Sequence, residues 1–162
     1  MKKCITLFLC LNSFISINAQ KSTVKDSIAH EFKQLILSSA DDFFNSIGKK
    51  TSEDGDNIYY ECSKKLKWAN ILLFRDKKDP TSLTYAATFD SKRWDYANGT
   101  ILVAITEEIE AIDKNGFLIK NEITKGNALL KSLVTKSGAV ASVLKIDPVE
   151  KTIQLYVFNQ WF

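Results

Sequence analysis

The strongest constraint on this chain is a change of period. From Val24 to Ile47 the apolar side chains Val24, Ile28, Phe32, Leu35, Ile36, Phe43, Phe44 and Ile47 recur mostly at three- and four-residue steps, the spacing that lines one side of a helix. Beyond Asn57 the apolar runs are short, rich in β-branched and aromatic residues, and separated by turn residues, as strands with tight links are. A helix followed by consecutive strands predicts an α+β domain, with the N-terminal helix packed on a mainly antiparallel β-sheet.

Ser22 or Thr23 can cap the helix start and Gly48 ends it. Lys49 to Asn57 lacks apolar side chains and holds Glu53-Asp54-Gly55-Asp56, which reads as a surface loop. Strands are expected at Ile58 to Cys62, at Trp68 to Phe74, and at Leu83 to Phe89 after the turn Asp79-Pro80-Thr81. For Trp68 to Phe74 the alternative is a helix opened by Ser63, with Leu66, Asn70 and Leu73 along one side. Asp95 to Gly99 reads as a turn cluster before a central strand at Thr100 to Ile105. Asp113-Lys114-Asn115-Gly116 reads as a hairpin turn between Ile109 to Ala111 and Phe117 to Ile119. Leu129, Leu130, Leu133 and Val134 take a helix-like step. Val140 to Ile146 and Ile153 to Phe158, on either side of Asp147 to Lys151, form the clearest hairpin. No sequence repeat or low-complexity linker interrupts this order.

Met1-Lys2-Lys3 gives a positive start, Ile5 to Ile17 is largely apolar, and Asn18-Ala19-Gln20 follows. That layout predicts a signal peptide over residues 1–19, cut after Ala19, and a single compact domain over residues 20–162. The ending resembles that of bacterial export signals. The apolar run holds Asn12, Ser13 and Ser16 and falls short of the roughly 20 apolar residues of a membrane span, so no stable span is expected after cleavage. An uncleaved anchor or a lipoprotein is the alternative, but in Leu7-Phe8-Leu9-Cys10 bulky residues stand where a lipidation box has small ones. The expected location is periplasmic or extracellular.

The chain carries 22 basic and 19 acidic side chains. Without Lys2 and Lys3 the basic count is 20 against 19, and so even a balance makes no electrostatic case for nucleic acid, which needs a concentrated cationic face. Lys64-Lys65-Leu66-Lys67 reads as a solvated turn or strand end. Cys4 and Cys10 leave with the signal, so Cys62 stands alone and no internal disulfide can form. Burial of apolar surface must hold the domain together.

Candidate chemistry is sparse. Asp113, Asn115, Gly116 and Glu122 fall on positions 3, 5, 6 and 12 of an EF-hand-like loop, but Ala111 stands where the first carboxylate belongs. The acidic stretch Glu53 to Asn57 reads as a solvated loop. Cys62 and His30 are the only mature residues of their kinds, and nothing in their placement pairs them for nucleophilic catalysis. Cys62 alternates with Tyr60 and reads as a quiet, core-facing thiol, with an intermolecular disulfide as the alternative. No two carboxylates are singled out by spacing. Asn98-Gly99-Thr100 matches a glycosylation sequon, idle behind a signal of bacterial style.

The binding candidates are Arg93, Trp94 and Tyr96, large aromatics beside an arginine in a turn-rich stretch, of the kind that protein interfaces use. Trp161 reads as core or sheet edge. No catalytic residue, metal ligand or cofactor is assigned, and the balance leans away from an enzyme. The leading expectation is an exported small binding protein that contacts a protein partner in the cell envelope, inhibitor- or immunity-like. The alternative is a carrier of a small apolar or sugar-like ligand between sheet and helix. A carboxylate-based hydrolase ranks third.

Overall fold

A computed structural model of the protein describes residues 24–43, 45–89, 94–113 and 116–160; the side chains of residues 94–99, 102 and 113 lie outside that description. The expected signal segment, Ser22 and Thr23, Phe44, Arg93, Asn115 and Trp161 also lie outside it.

Helix α1 covers residues 24–39 and buries Val24, Ile28, Phe32, Leu35 and Ile36, the stripe its spacing predicts. It stops short of Ile47. Asp42 and Phe43 take left-handed backbone angles, with φ of 52° and 53°, and the Phe43 N–H donates to the Ser38 carbonyl at 2.8 Å, so the chain reverses there. Phe43 is wholly buried and stacks on Tyr85, ring centroids 6.3 Å apart.

Strand β1 (Ile47–Glu53) follows directly, so most of the expected loop from Lys49 is instead an edge strand. Gly48 does not end the helix. It lets β1 approach Glu61, whose Cβ would lie 2.8 Å from a Cβ at Gly48. Next come β2 (Asn57–Cys62), β3 (Ala69–Asp76) and β4 (Leu83–Phe89). From Ala69 the Trp68 to Phe74 stretch is therefore strand, not helix, while Trp68 itself lies in the turn before it with φ 70°. Between β2 and β3, Leu66 plugs the core while the Lys67 N–H donates to Glu31 on α1 at 3.0 Å; only the lysines of that basic run are solvated.

Helix α2 (Trp94–Asp113) overturns three expectations. The Asp95 to Gly99 stretch is its first turns and not a turn cluster, and Thr100 to Ile105 is helix, not a central strand. Ile101, Ala104, Ile105, Ile109 and Ile112 are buried, a helical stripe that a six-residue β-branched window conceals. Ile109 to Ala111 is accordingly helix, so the expected hairpin there does not form; the chain leaves α2 and turns at Gly116, φ 107°, into β5 (Phe117–Ile123). Strand β6 (Leu129–Thr135) replaces the expected helical step, and β7 (Val140–Asp147) and β8 (Thr152–Phe158) form the hairpin as expected.

Among the described residues all eight strands join one antiparallel sheet in the order β1-β2-β3-β4-β8-β7-β6-β5. The α+β expectation holds, with a second helix added. The sheet consists of two meanders that meet along β4 and β8. Exchanging β1–β4 with β5–β8 leaves the strand order unchanged, read from the other end. Ile47 and Phe117, Asn57 and Leu129, Ala69 and Val140, and Leu83 and Thr152 open equivalent strands, an offset of about 70 residues that no sequence repeat announces. The two helices are tied together by the ion pairs Lys25–Glu107 and Lys33–Glu108. The core lies between them and one face of the sheet, where Leu73, Tyr85, Ala87, Leu144, Leu155 and Val157 are fully buried.

Candidate functional site: the helix-free face of the sheet

Residues opposite one another in an antiparallel ladder share a face, and alternate residues along a strand point to opposite faces. Tyr85, Val157 and Ser142 form one row across β4, β8 and β7 on the helix-covered side. The adjacent row, Leu72, Ala86, Tyr156, Val143, Ser132 and Lys120, crosses six strands on the other side. Beside it run Tyr59, Phe74, Thr84 and Phe158.

The middle of this face is shaped by side-chain size. Thr84 and Ala86 on β4 are only 8% and 9% exposed, because larger neighbours stand over them on both sides. Leu72 and Phe74 rise from β3 and Tyr156 and Phe158 from β8, which makes a trough along β4 spanning two strand spacings, about 10 Å. Leu72 is 55% exposed. Tyr59 packs against Phe74 with ring centroids 5.9 Å apart. Beyond the β3 wall of the trough, toward β1, strands β1 to β3 open into a cleft of about 440 Å³ that includes Thr51, Ser52, Tyr59, Glu61, Lys65 and Leu72 and reaches Cys62 and Leu73 of the covered face. Around the apolar middle sit Asn70, Gln154, Lys145, Glu122 and Lys120, polar groups of both signs.

Asn159 holds the trough's far end in place. Its Oδ1 accepts from the Leu83 N–H at 2.7 Å, and its Nδ2 donates to Asp42 Oδ1 at 2.6 Å and to the Thr81 carbonyl at 2.8 Å. Asn159 is 5% exposed, so every one of these bonds replaces water that burial removed. The clamp fixes the end of β8, and with it Phe158, against the start of β4.

The residues chosen from sequence fare differently. Trp94 and Tyr96 open α2 rather than a turn; their side chains and Arg93 lie outside the described residues. His30 is exposed on α1, whereas Cys62 is half-buried on β2 with its Sγ 3.5 Å from the Lys64 carbonyl. Burial, its largest influence, pushes the Cys62 thiol up from its ordinary pKa, the direction that disfavours the nucleophilic thiolate. Residues 117–122 of the EF-hand-like stretch are paired along β6 and do not wrap an ion. Among the described residues no three His, Cys, Asp or Glu side chains gather as metal ligands.

The acidic stretch is a self-contained turn. Asp54 Oδ1 accepts from the N–H groups of Asn57 and Asp56 at 2.7 and 2.9 Å, and Oδ2 from the Tyr59 hydroxyl at 2.6 Å. The Tyr59 hydroxyl first, then the two N–H groups, hold the Asp54 carboxyl below its usual range. Lys50 and Lys77 pair with Glu53 and Lys78 with Asp56.

A second concavity lies on the covered side, between α2 and the outer strands. It measures about 440 Å³ and is lined by Val103, Thr106 and Glu107 of α2 and by Asn121, Leu129, Lys131 and Ile146. Lys131 pairs with Glu110 at 3.2 Å.

Sequence reasoning missed Leu72, Phe74, Tyr156 and Phe158. The available signal was in β8, where Ile153, Leu155 and Val157 alternate with Tyr156 and Phe158, so both faces of one strand carry large apolar groups. No family model, curated protein or solved structure matches the chain.

Proposed function

We propose that the chain is an exported binding protein, periplasmic or extracellular, whose helix-free sheet face engages a protein partner in the cell envelope in the manner of an inhibitor or immunity protein. The single observation that carries this reading is the trough of Leu72, Phe74, Tyr156 and Phe158 over Thr84 and Ala86, because an apolar, aromatic centre ringed by polar groups of both signs is the anatomy of a protein interface. Removal of residues 1–19 is part of the same proposal, on the layout of the N-terminus.

The test places a photo-crosslinking residue at position 72 in the secreted chain. The expected result is a discrete crosslinked protein, lost on Tyr156→Ala with Phe158→Ala, and a mature N-terminus at Gln20. Crosslinks indifferent to those substitutions would overturn the assignment of the face, and a full-length or lipidated chain would overturn the location.

The cleft beneath α2 favours a second reading, a carrier of a small apolar ligand, since its volume falls within the range of about 300–1,000 Å³ for ligand pockets. Extra native mass that leaves on denaturation, and that Val103→Trp abolishes, would put this reading first.

A further inference from the structure

Among the described residues the sheet ends at two unpaired edges, β1 and β5, and they are built differently. On β1, Lys49 and Lys50 are exposed, the ladder to β2 slips twice, between Ile47 and Lys50 and between Lys50 and Ser52, and Lys50 and Lys77 pair with Glu53. Charges and register slips of this kind prevent another strand from adding. On β5 all seven residues from Phe117 to Ile123 pair with β6 without a slip, and from Leu118 to Ile123 no strand of the described residues pairs with the opposite side. Ile123 is 76% exposed and Leu118 is 50% exposed. Ile123 stands opposite Leu129, which lines the cleft beneath α2, so apolar surface runs from that cleft to the very edge.

We propose that β5 is a self-association edge, pairing antiparallel with β5 of a second copy about a two-fold axis through Asn121, so that two eight-stranded sheets continue into one. The occupant follows from charge. In that register Lys120 of each copy stands opposite Glu122 of the other, and Ile119 opposite Ile123, each pair occurring twice. Lys120 and Glu122 share the helix-free face. Among the described residues neither takes part in an ion pair or side-chain hydrogen bond within the protomer. Opposite charges directly across a ladder stabilise it, and like charges destabilise it. A register centred on Lys120 would set the two Lys120 side chains against each other. Because the axis is perpendicular to the sheet, both troughs face the same way, so the pair offers two binding faces to one partner surface.

The test measures molar mass by light scattering on the mature chain and on three variants, Lys120→Glu, Glu122→Lys and Ile123→Lys, each checked by circular dichroism for a native fold. Wild type is expected at twice the protomer mass. Each variant is expected to dissociate more readily, by roughly tenfold for the charge reversals, which turn two attractive pairs into two repulsive ones. Mixing Lys120→Glu with Glu122→Lys is expected to restore the dimer, since the heterodimer regains both opposite-charge pairs. A monomeric wild type at the highest attainable concentration would overturn the proposal. So would charge variants that dimerise like wild type, or a mixture no tighter than its components.

Discussion

Leu155 and Tyr156 are neighbours in β8 and belong to two different surfaces. Leu155 faces the helices, opposite Ala87 and Leu144, all three wholly buried. Tyr156 faces away, opposite Ala86 and Val143, and is half-exposed. Both sides are apolar along the middle of the sheet, but among the described residues only one is covered by helices. Burial against a helix is what stabilises a sheet, so the covered face holds the fold together. The open face keeps apolar area that folding does not require.

That division can be broken by substitution. The largest effect is expected from Leu155→Ala, which leaves a cavity in the centre of the covered face and should cost about 2–5 kcal/mol, read from urea denaturation. A loss under ~1 kcal/mol would mean the helices do not seal that face. Next comes Asn159→Ala, which strands the buried Leu83 N–H and removes the bond to the exposed Asp42, and should cost about 1–3 kcal/mol. Combined with Asp42→Ala the loss should be less than additive, since the two side chains share a bond. On the open face Tyr156→Ala should change stability by roughly 1 kcal/mol or less while removing partner binding. Equal losses for Tyr156→Ala and Leu155→Ala would erase the distinction between the faces.

The smallest effect concerns Cys62, at the thin margin of the covered face. Burial raises its thiol pKa, so its alkylation by iodoacetamide at mildly alkaline pH should be slower in the folded chain than in urea. A raised thiol pKa contributes stability that is present below the unfolded thiol's pKa and lost as pH rises through the folded value. Alkylation at equal rates in both states would show that the thiol is open to water.

How far the sequence could be read depended on which surfaces a strand touches. Residues 24–39 were legible as a helix because water on one side leaves a clean stripe at Val24, Ile28, Phe32 and Leu35. The β7–β8 hairpin was legible because Asp147 caps its own turn, Oδ1 accepting from the Val149 and Glu150 N–H groups at 3.1 and 3.0 Å. β6 was misread because Leu130 and Val134 add apolar positions on the open face to Leu129 and Leu133 on the covered one, which mimics helical steps of three and four. The feature that hid the strand is the feature that makes the candidate site. α2 was misread for the converse reason: Asn98 and Gly99 look like punctuation, and only the longer stripe from Ile101 to Ile112 betrays a helix. Trp94 and Tyr96 drew attention as aromatics near such punctuation, whereas the trough aromatics lay in alternating runs, where a core residue and a contact residue look alike.

The meeting of the two meanders along β4 and β8 also sets an order in time. Every other ladder joins strands that follow one another in the chain, whereas Leu83 to Phe89 must find Thr152 to Phe158 across most of the second half. Closing so long a loop is the slow entropic step, so hairpins on each side should zip early and the central seam last. Substitutions at the seam, Ala87 or Leu155, would then speed unfolding and leave the refolding rate nearly unchanged.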